Sequence, residues 1–189
     1  MSSGEASMEA LKKEKFGKLF FHLGPNKDNE IFMNVKKNKV SLDQCEFILC
    51  TGLIEDKEND LEYHKDLLKN YVSKKLICTN PDLIVHRGDI AEYCAGTIAQ
   101  IFESIGGESV YFGKPYKEIY KMCFTSSEKV IAIGDNLNTD IRGANNMSID
   151  SVLISDGVHR SDFNDESELK NLSLKYKAEA SYYQPQLIW

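Results

Sequence analysis

The sequence predicts an α/β protein whose carboxyl-terminal half is built on a doubly wound, Rossmann-like parallel sheet, preceded by a smaller α/β unit. Three observations carry this expectation. Val130, Ile131, Ala132 and Ile133 form an unbroken apolar run, the pattern of a parallel strand covered on both faces. That run ends abruptly in Gly134-Asp135, and a second carboxylate, Asp140, follows five residues later. Around it, strand and helix patterns alternate: VYFG, a helix over 117–124, KVIAIG, a helix over 141–147 and DSVLIS at 150–155, which together read as βαβαβ.

The elements before this half follow in order. Residues 5–15 carry a helical pattern, and GKLFFHLG at 17–24 reads as a strand closed by the Gly24-Pro25 turn. His22 lies in that strand, where its ordinary reading is a partly buried histidine and not a catalytic one. Residues 26–38 are polar and predict a loop with a short strand or helix around 31–35. CEFILCTG at 45–52 and KLICT at 75–79 give a second and a third strand. Between them, 55–71 is charged, with Leu61, Leu67, Leu68 and Tyr71 at helical spacing, so its charges form a solvated face. Apolar positions recur at helical spacing over 90–105 and Gly106-Gly107 ends that helix. A last helix is expected over 161–177, acidic first and basic last, matching the helix dipole. The division implied is 1–90 for the small unit and 91–189 for the larger fold.

Composition excludes several classes of function. A chain of 189 residues with 42% hydrophobic content can bury one sizeable core or two small ones. A net charge of −6 argues against a broad footprint on nucleic acid. No run is long and apolar enough for a membrane span or a secretory leader, so a cytoplasmic protein with no membrane partner is expected. Cys45, Cys50, Cys78, Cys94 and Cys123 are odd in number, scattered and without a Cys-x-x-Cys pair, which predicts reduced thiols and no zinc site.

The chemistry converges on strand ends. In open α/β sheets, ligands bind beyond the carboxyl ends of the strands. Asp135 and Asp140 stand at such an end, and Mg²⁺ takes only one or two protein carboxylates while keeping waters and a substrate phosphate. The plainer reading is a turn followed by Thr139 and Asp140 capping the helix over 141–147. Upstream, Gly113-Lys114-Pro115 follows a short strand and sets Pro115 in the first turn of the next helix. Lys114 is thereby a point charge suited to a phosphate or a nucleophilic carboxylate. In TNPDLIVHR at 79–87, Asn80, Pro81 and Asp82 are turn residues, and His86 and Arg87 are the weaker candidates for meeting an anionic tail.

Taken together, GKPYKEIY followed by IAIGDNLNTDIRGA resembles the third and fourth motifs of the haloacid dehalogenase (HAD) superfamily, and the flanking sequence resembles its class IIA, capped branch. TNPDLIV resembles the cap segment placed over the substrate, and GDIAEYCAGTIAQIFESIGGE the stretch leading back to the core. The resemblance covers nearly the whole chain. It implies a small α/β cap domain, an incomplete HAD core domain, and phosphoryl transfer in which an aspartate attacks phosphorus and the aspartyl-phosphate is hydrolysed. It further implies Mg²⁺ as cofactor with Asp135 and Asp140 at the metal, Lys114 and Asp140 as catalytic residues, and Asn80, Asp82 and Lys114 at the substrate, a small phosphorylated metabolite.

One departure bears on all of this. The superfamily's nucleophile lies in an Asp-x-Asp-Gly motif, and none occurs here: Asp82, Asp89 and Asp150 are isolated, and Asp156-Gly157 has Ile154 where the earlier aspartate would stand. The expectation is half of an active site without turnover, and a carboxyl-terminal half that needs self-association or a complementing segment. The alternative is a non-catalytic remnant serving as a binding or interaction module. A dinucleotide-binding fold is disfavoured because no Gly-rich loop follows a strand.

Overall fold

The structure, a computed structural model, describes residues 2–87, 90–125 and 127–188. Asp89 and the side chains of His86 and Arg87 lie outside the described residues, so the reading of that pair as an anion contact is not addressed by it. The chain forms two compact units, Met1–Gly113 and Lys114–Trp189.

In the first unit, α1 (Ser3–Lys12) starts at a capping box in which Ser2 and Glu5 exchange side-chain and backbone hydrogen bonds. Four parallel strands follow: β1 (Phe20–Leu23), β2 (Phe47–Cys50), β3 (Lys75–Cys78) and β6 (Glu108–Tyr111), adjacent in that order. Between β3 and β6 lie the antiparallel pair β4 (Ile84–Arg87) and β5 (Ile90–Tyr93) and helix α3 (Ala95–Ser104). Side chains alternate across the sheet with the strand period of two. One face sends Leu23, Ile48, Cys50, Leu76 and Cys78 against Ala95, Ile98 and Phe102 of α3 and Leu68 of α2 (Leu61–Leu68). On the other, Phe20 stacks on Phe47 with ring centroids 5.9 Å apart, and Phe16 and Phe32 pack around them.

Several sequence expectations shift here. Residues 26–38 are 3-10 helical with a kink at Phe32, so the short helix expected around 31–35 extends over the whole segment. Ile90–Tyr93 forms a strand paired with Ile84–Arg87, so the expected helix over 90–105 begins only at Ala95. The segment VYFG was assigned to the second sheet, yet Val110 pairs with Ile77 and Tyr111 with Cys78 of the first. Phe112 is fully buried, with its ring edge-on to Phe16. These contacts belong to the compact unit Met1–Gly113.

The second unit holds α4 (Lys117–Cys123) and a parallel three-stranded sheet, β7 (Ile131–Gly134), β8 (Asp150–Ile154) and β9 (Tyr182–Gln184), adjacent in that order. Helices α5 (Arg142–Met147) and α6 (Glu166–Tyr176) make the crossovers. Its core joins Leu137, Ile141, Leu153 and Ala178 with Leu169, Leu172 and Tyr176 of α6. Both sheets are thus parallel with helical crossovers, the α/β, Rossmann-like arrangement. The run has the pattern of a strand covered on both faces, but among the described residues β7 pairs only with β8, and Ile131 and Ile133 are 49% and 46% exposed, as expected of a sheet that needs a complementing segment. An apolar run specifies a strand, not the presence of both neighbours. Among the described residues, no helix is long and apolar enough to cross a membrane.

The cysteines stand as thiols, with Cys45, Cys50 and Cys78 buried and Cys123 exposed. His22 is buried against the Phe32 ring, centroids 4.6 Å apart, with Nε2 2.9 Å from Thr51 Oγ1. Burial, reinforced by the Lys39 charge, lowers its pKa from 6.5 to about 4. Between those two values the unfolded chain binds a proton that the folded chain refuses, so stability falls as pH drops through that window and is fully present above it. The first unit should lose on the order of 2–3 kcal/mol between neutral pH and pH ~4 from this group. Amide exchange of the β1–β2 pairs across that range measures the loss, and His22→Leu should flatten it; an equal loss in the variant contradicts the assignment.

Candidate active site

Lys114 opens the second unit, joined to Pro115 by a cis peptide. Pro115 does not occupy the first helical turn. Helix α4 begins at Lys117 with Tyr116 as its N-cap, so the proline precedes the helix and leaves Lys114 in the connecting segment. The Lys114 ammonium is ion-paired with Asp140 Oδ1; the lysine side chain is 52% exposed and that of Asp140 10%. The cation is therefore held on one side and open on the other.

Asp140 sits on a single π-helical turn, Leu137–Ile141, that leads into α5. The N-cap is Asn136, whose Oδ1 accepts the Asn138 N–H at 2.9 Å. Thr139 and Asp140 were expected to cap a helix starting at 141. An earlier cap wins because an asparagine two residues after the strand reaches the first free N–H groups. Asp140 does take part from within the turn: its Oδ2 accepts the Asn136 N–H at 3.2 Å. Both of its oxygens are thus engaged, one by Lys114 and one by the backbone. Wide π-turns of this kind recur at functional sites because they turn a side chain towards a position an α-turn would miss.

Asp135 leaves the end of β7, and its Oδ2 accepts the Val158 N–H at 3.1 Å. Two glycines make this geometry possible. A Cβ on Gly157 would fall on the Asp135 carboxylate, and one on Gly134 would fall on that of Asp140. Asp135 lines an open hollow of about 490 Å³ together with Gly134, Asp156, Gly157 and Leu187. Asp156, which in sequence lacks the preceding aspartate of an Asp-x-Asp-Gly, is brought to the same hollow because β7 and β8 run parallel and end side by side. Its partner is Gln186, whose Nε2 donates to Asp156 Oδ2 at 3.3 Å. Tyr120 of α4 lies against Gly143, and burial together with the Asp140 charge pushes its phenol up to about 12.

Among the described residues, no group of three histidine, cysteine, aspartate or glutamate side chains assembles as a metal cage. The donors present instead fit a hydrated, hard cation held by one or two carboxylates, since Asp135 faces the hollow while Asp140 is already committed.

Asn80 and Asp82 belong to the first unit. Their turn reading holds in the geometry: Asn80 Oδ1 accepts the Asp82 N–H at 3.2 Å, and the Asp82 carbonyl accepts the Gly96 N–H at the start of α3 at 3.1 Å. A Cβ on Gly96 would strike the Pro81 and Asp82 carbonyl oxygens, so glycine is required where this turn meets the helix. The Asp82 side chain is exposed.

Comparison with known proteins agrees with this fold. Over 98% of its length the chain superimposes on 71% of a haloacid dehalogenase-like hydrolase from Brucella suis 1330, with 26% identity and a TM-score of 0.73. The p-nitrophenyl phosphatase of Archaeoglobus fulgidus shares the fold, with a TM-score of 0.73 at 20% identity over 96% of this chain and 69% of that one. Residues 111–177, which carry Lys114, Asp135 and Asp140, match the HAD-hydrolase-like family. The chain is thus similar in fold, and over residues 111–177 in sequence, to haloacid dehalogenase-like hydrolases, the superfamily whose class IIA branch its motifs resemble. Among individual proteins, it is 31% identical over 88 residues to the ribonucleotide monophosphatase NagD of Escherichia coli K12, and 27% identical over 89 residues to the dihydroxyacetone phosphatase of Corynebacterium glutamicum strain R. Each match takes in 44% of this chain and about a third of the relative, 34% and 32%.

The close approach at Gly157 makes a direct test of the local packing. Gly157→Ala should destabilise the second unit by about 1–3 kcal/mol, because the added methyl meets a carboxylate held by the backbone rather than a free side-chain end. Amide exchange at Val158 and in β8 reads the effect, and unchanged protection would mean that Asp135 moves aside freely.

Proposed function

We propose that the second unit supplies the charge-stabilising half of a Mg²⁺-dependent phosphomonoesterase site for a small phosphorylated metabolite in the cytoplasm. The observation that carries this reading is the Lys114–Asp140 ion pair, whose carboxylate is set on the same short loop that presents Asp135 at a strand end. Asp140 is the positioning carboxylate: it neutralises one side of the ammonium and fixes its direction, so that the open side of Lys114 meets phosphate oxygens. Asp135 is the first ligand for the cation, with Asp140 contributing through the same loop. When bound, Mg²⁺ supplies charge neutralisation at a transferring phosphoryl group. The names of the relatives, a ribonucleotide monophosphatase and a dihydroxyacetone phosphatase, support a phosphate monoester as the substrate class. Buried thiols at Cys45, Cys50 and Cys78 accord with a reducing compartment. The substrate contact expected of Asn80 and Asp82 belongs to the same proposal, to which the first unit brings a turn already formed by its own hydrogen bonds.

A second reading is favoured by one observation: no Asp-x-Asp-Gly occurs in the 189 residues. Lys114 and a cation stabilise charge but do not replace a covalent nucleophile. On that reading these residues bind phosphate and the cation and do not by themselves turn substrate over.

Two measurements decide between them. Purified chain with an aryl phosphate and Mg²⁺ should show no turnover, and turnover abolished by Asp135→Asn would reveal a nucleophile among these residues. Calorimetric titration should show Mg²⁺ binding with Kd on the order of millimolar, lost in Asp135→Asn, with inorganic phosphate binding weakened about tenfold by Lys114→Met. Affinities equal to wild type in both variants would overturn the site.

A further inference from the structure

The turn that follows β8 touches the Asp135 loop at two points. Val158 N–H donates to Asp135 Oδ2, and, one residue on, His159 Nε2 accepts the Leu137 N–H at 3.1 Å. An imidazole nitrogen that accepts from a backbone N–H carries no proton, so the ring proton of His159 is on Nδ1. Nδ1 lies 2.7 Å from Asp162 Oδ2, and the hydrogen bond runs from the ring to the carboxylate. Asp162 thereby fixes which nitrogen faces Leu137. The ring is only 3% exposed and packs on Tyr176 of α6, centroids 5.2 Å apart, while the Leu137 residue is fully buried. The turn itself is closed by Arg160 N–H to Gly157 carbonyl and Asp162 N–H to His159 carbonyl bonds of 3.2 and 2.9 Å.

We propose that Asp162 and His159 form the positioning pair that fixes the Asp135 loop for ligand binding. Neither residue touches Asp135; they act through the Leu137 amide. Leu137 begins the π-turn carrying Asp140, so one imidazole sets the spacing between the two carboxylates. A neutral acceptor is suited to this place, because it satisfies a buried N–H without adding charge beside the two acids. In metal sites an outer carboxylate commonly orients a ligating histidine; here Asp162 orients a histidine that holds a backbone amide of the acidic loop instead.

The inference rests on the cation site proposed above, and its test separates the two. Amide spectra of the whole chain are followed through a MgCl₂ titration and, without the metal, through hydrogen exchange. The variants are His159→Phe, which keeps the packing on Tyr176 and removes the acceptor, His159→Gln, which returns an acceptor, and Asp162→Ala, which leaves the ring but frees its tautomer. Exchange of the Leu137 amide should accelerate at least tenfold in the Phe and Ala variants, Mg²⁺ affinity at Asp135 should fall about tenfold in both, and Gln should restore most of each. Unchanged Leu137 exchange in Asp162→Ala would overturn the proposal, as would faster exchange with undiminished affinity. If wild type shows no response to Mg²⁺ while the variants still lose Leu137 protection, the metal reading fails and the positioning role stands. Should His159→Phe not fold, Asp162→Ala with the Gln variant carries the same comparison.

Discussion

The second unit depends on one buried carboxylate. Asp140 is joined to Lys114 from the segment before α4, accepts the Asn136 N–H from the strand end, rests against the bare Cα of Gly134 and raises the phenol of Tyr120. A charge that is 8% exposed is tolerable only when paired and hydrogen-bonded, and here the pair and the bonds come from different stretches of chain. Removing the partner would leave the acid uncompensated, and removing the acid would release the lysine. The fixed ammonium of Lys114 and the oriented loop, on which the proposed site relies, are the same features that make the burial of Asp140 affordable.

Much of this was legible in the sequence. Gly134-Asp135 after an apolar run announces a strand end, and Lys114 after Gly113 announces another charge placed by a short connection. The convergence of Lys114 on Asp140 was implied by the family resemblance alone, since nothing in the periodicity links residues 26 positions apart. Other features could not be read. Ile90–Tyr93 carries apolar residues compatible with either period, and only its pairing with Ile84–Arg87 settles it as a strand. VYFG has no mark of the sheet it joins, because strand patterns encode faces and not neighbours. The strand Tyr182–Gln184 is short, half polar and exposed, and it exists through its register with Val152 to Ile154.

The histidines show the same limit. His22 was read as a buried strand residue, and it is one, held against Phe32. His64 and His159 carry no sequence signal, yet each accepts a backbone N–H through Nε2, from Ile54 and Leu137, while Nδ1 bonds to an oxygen of Asp60 or Asp162. In both places an imidazole replaces the missing partner of a loop amide. The only hint available was the three- or four-residue spacing between each histidine and its aspartate, which is common enough to pass for chance.

Strand β7 presents its large side chains, Ile131 and Ile133, outward and keeps its small ones, Ala132 and Gly134, partly covered. Edge strands in water usually carry a lysine, a proline or a bulge that discourages pairing, and IAIG has none of these. The strand thus has the composition of an interior position while standing at a margin. Covering the two isoleucines would return on the order of 1 kcal/mol each, given that each is already about half buried. By mass action, any polypeptide surface that covers them raises the stability of the same unit that holds Asp135 and Asp140. Order at the acidic loop and occupancy of this edge are therefore linked quantities, even though the isoleucines and the carboxylates never meet.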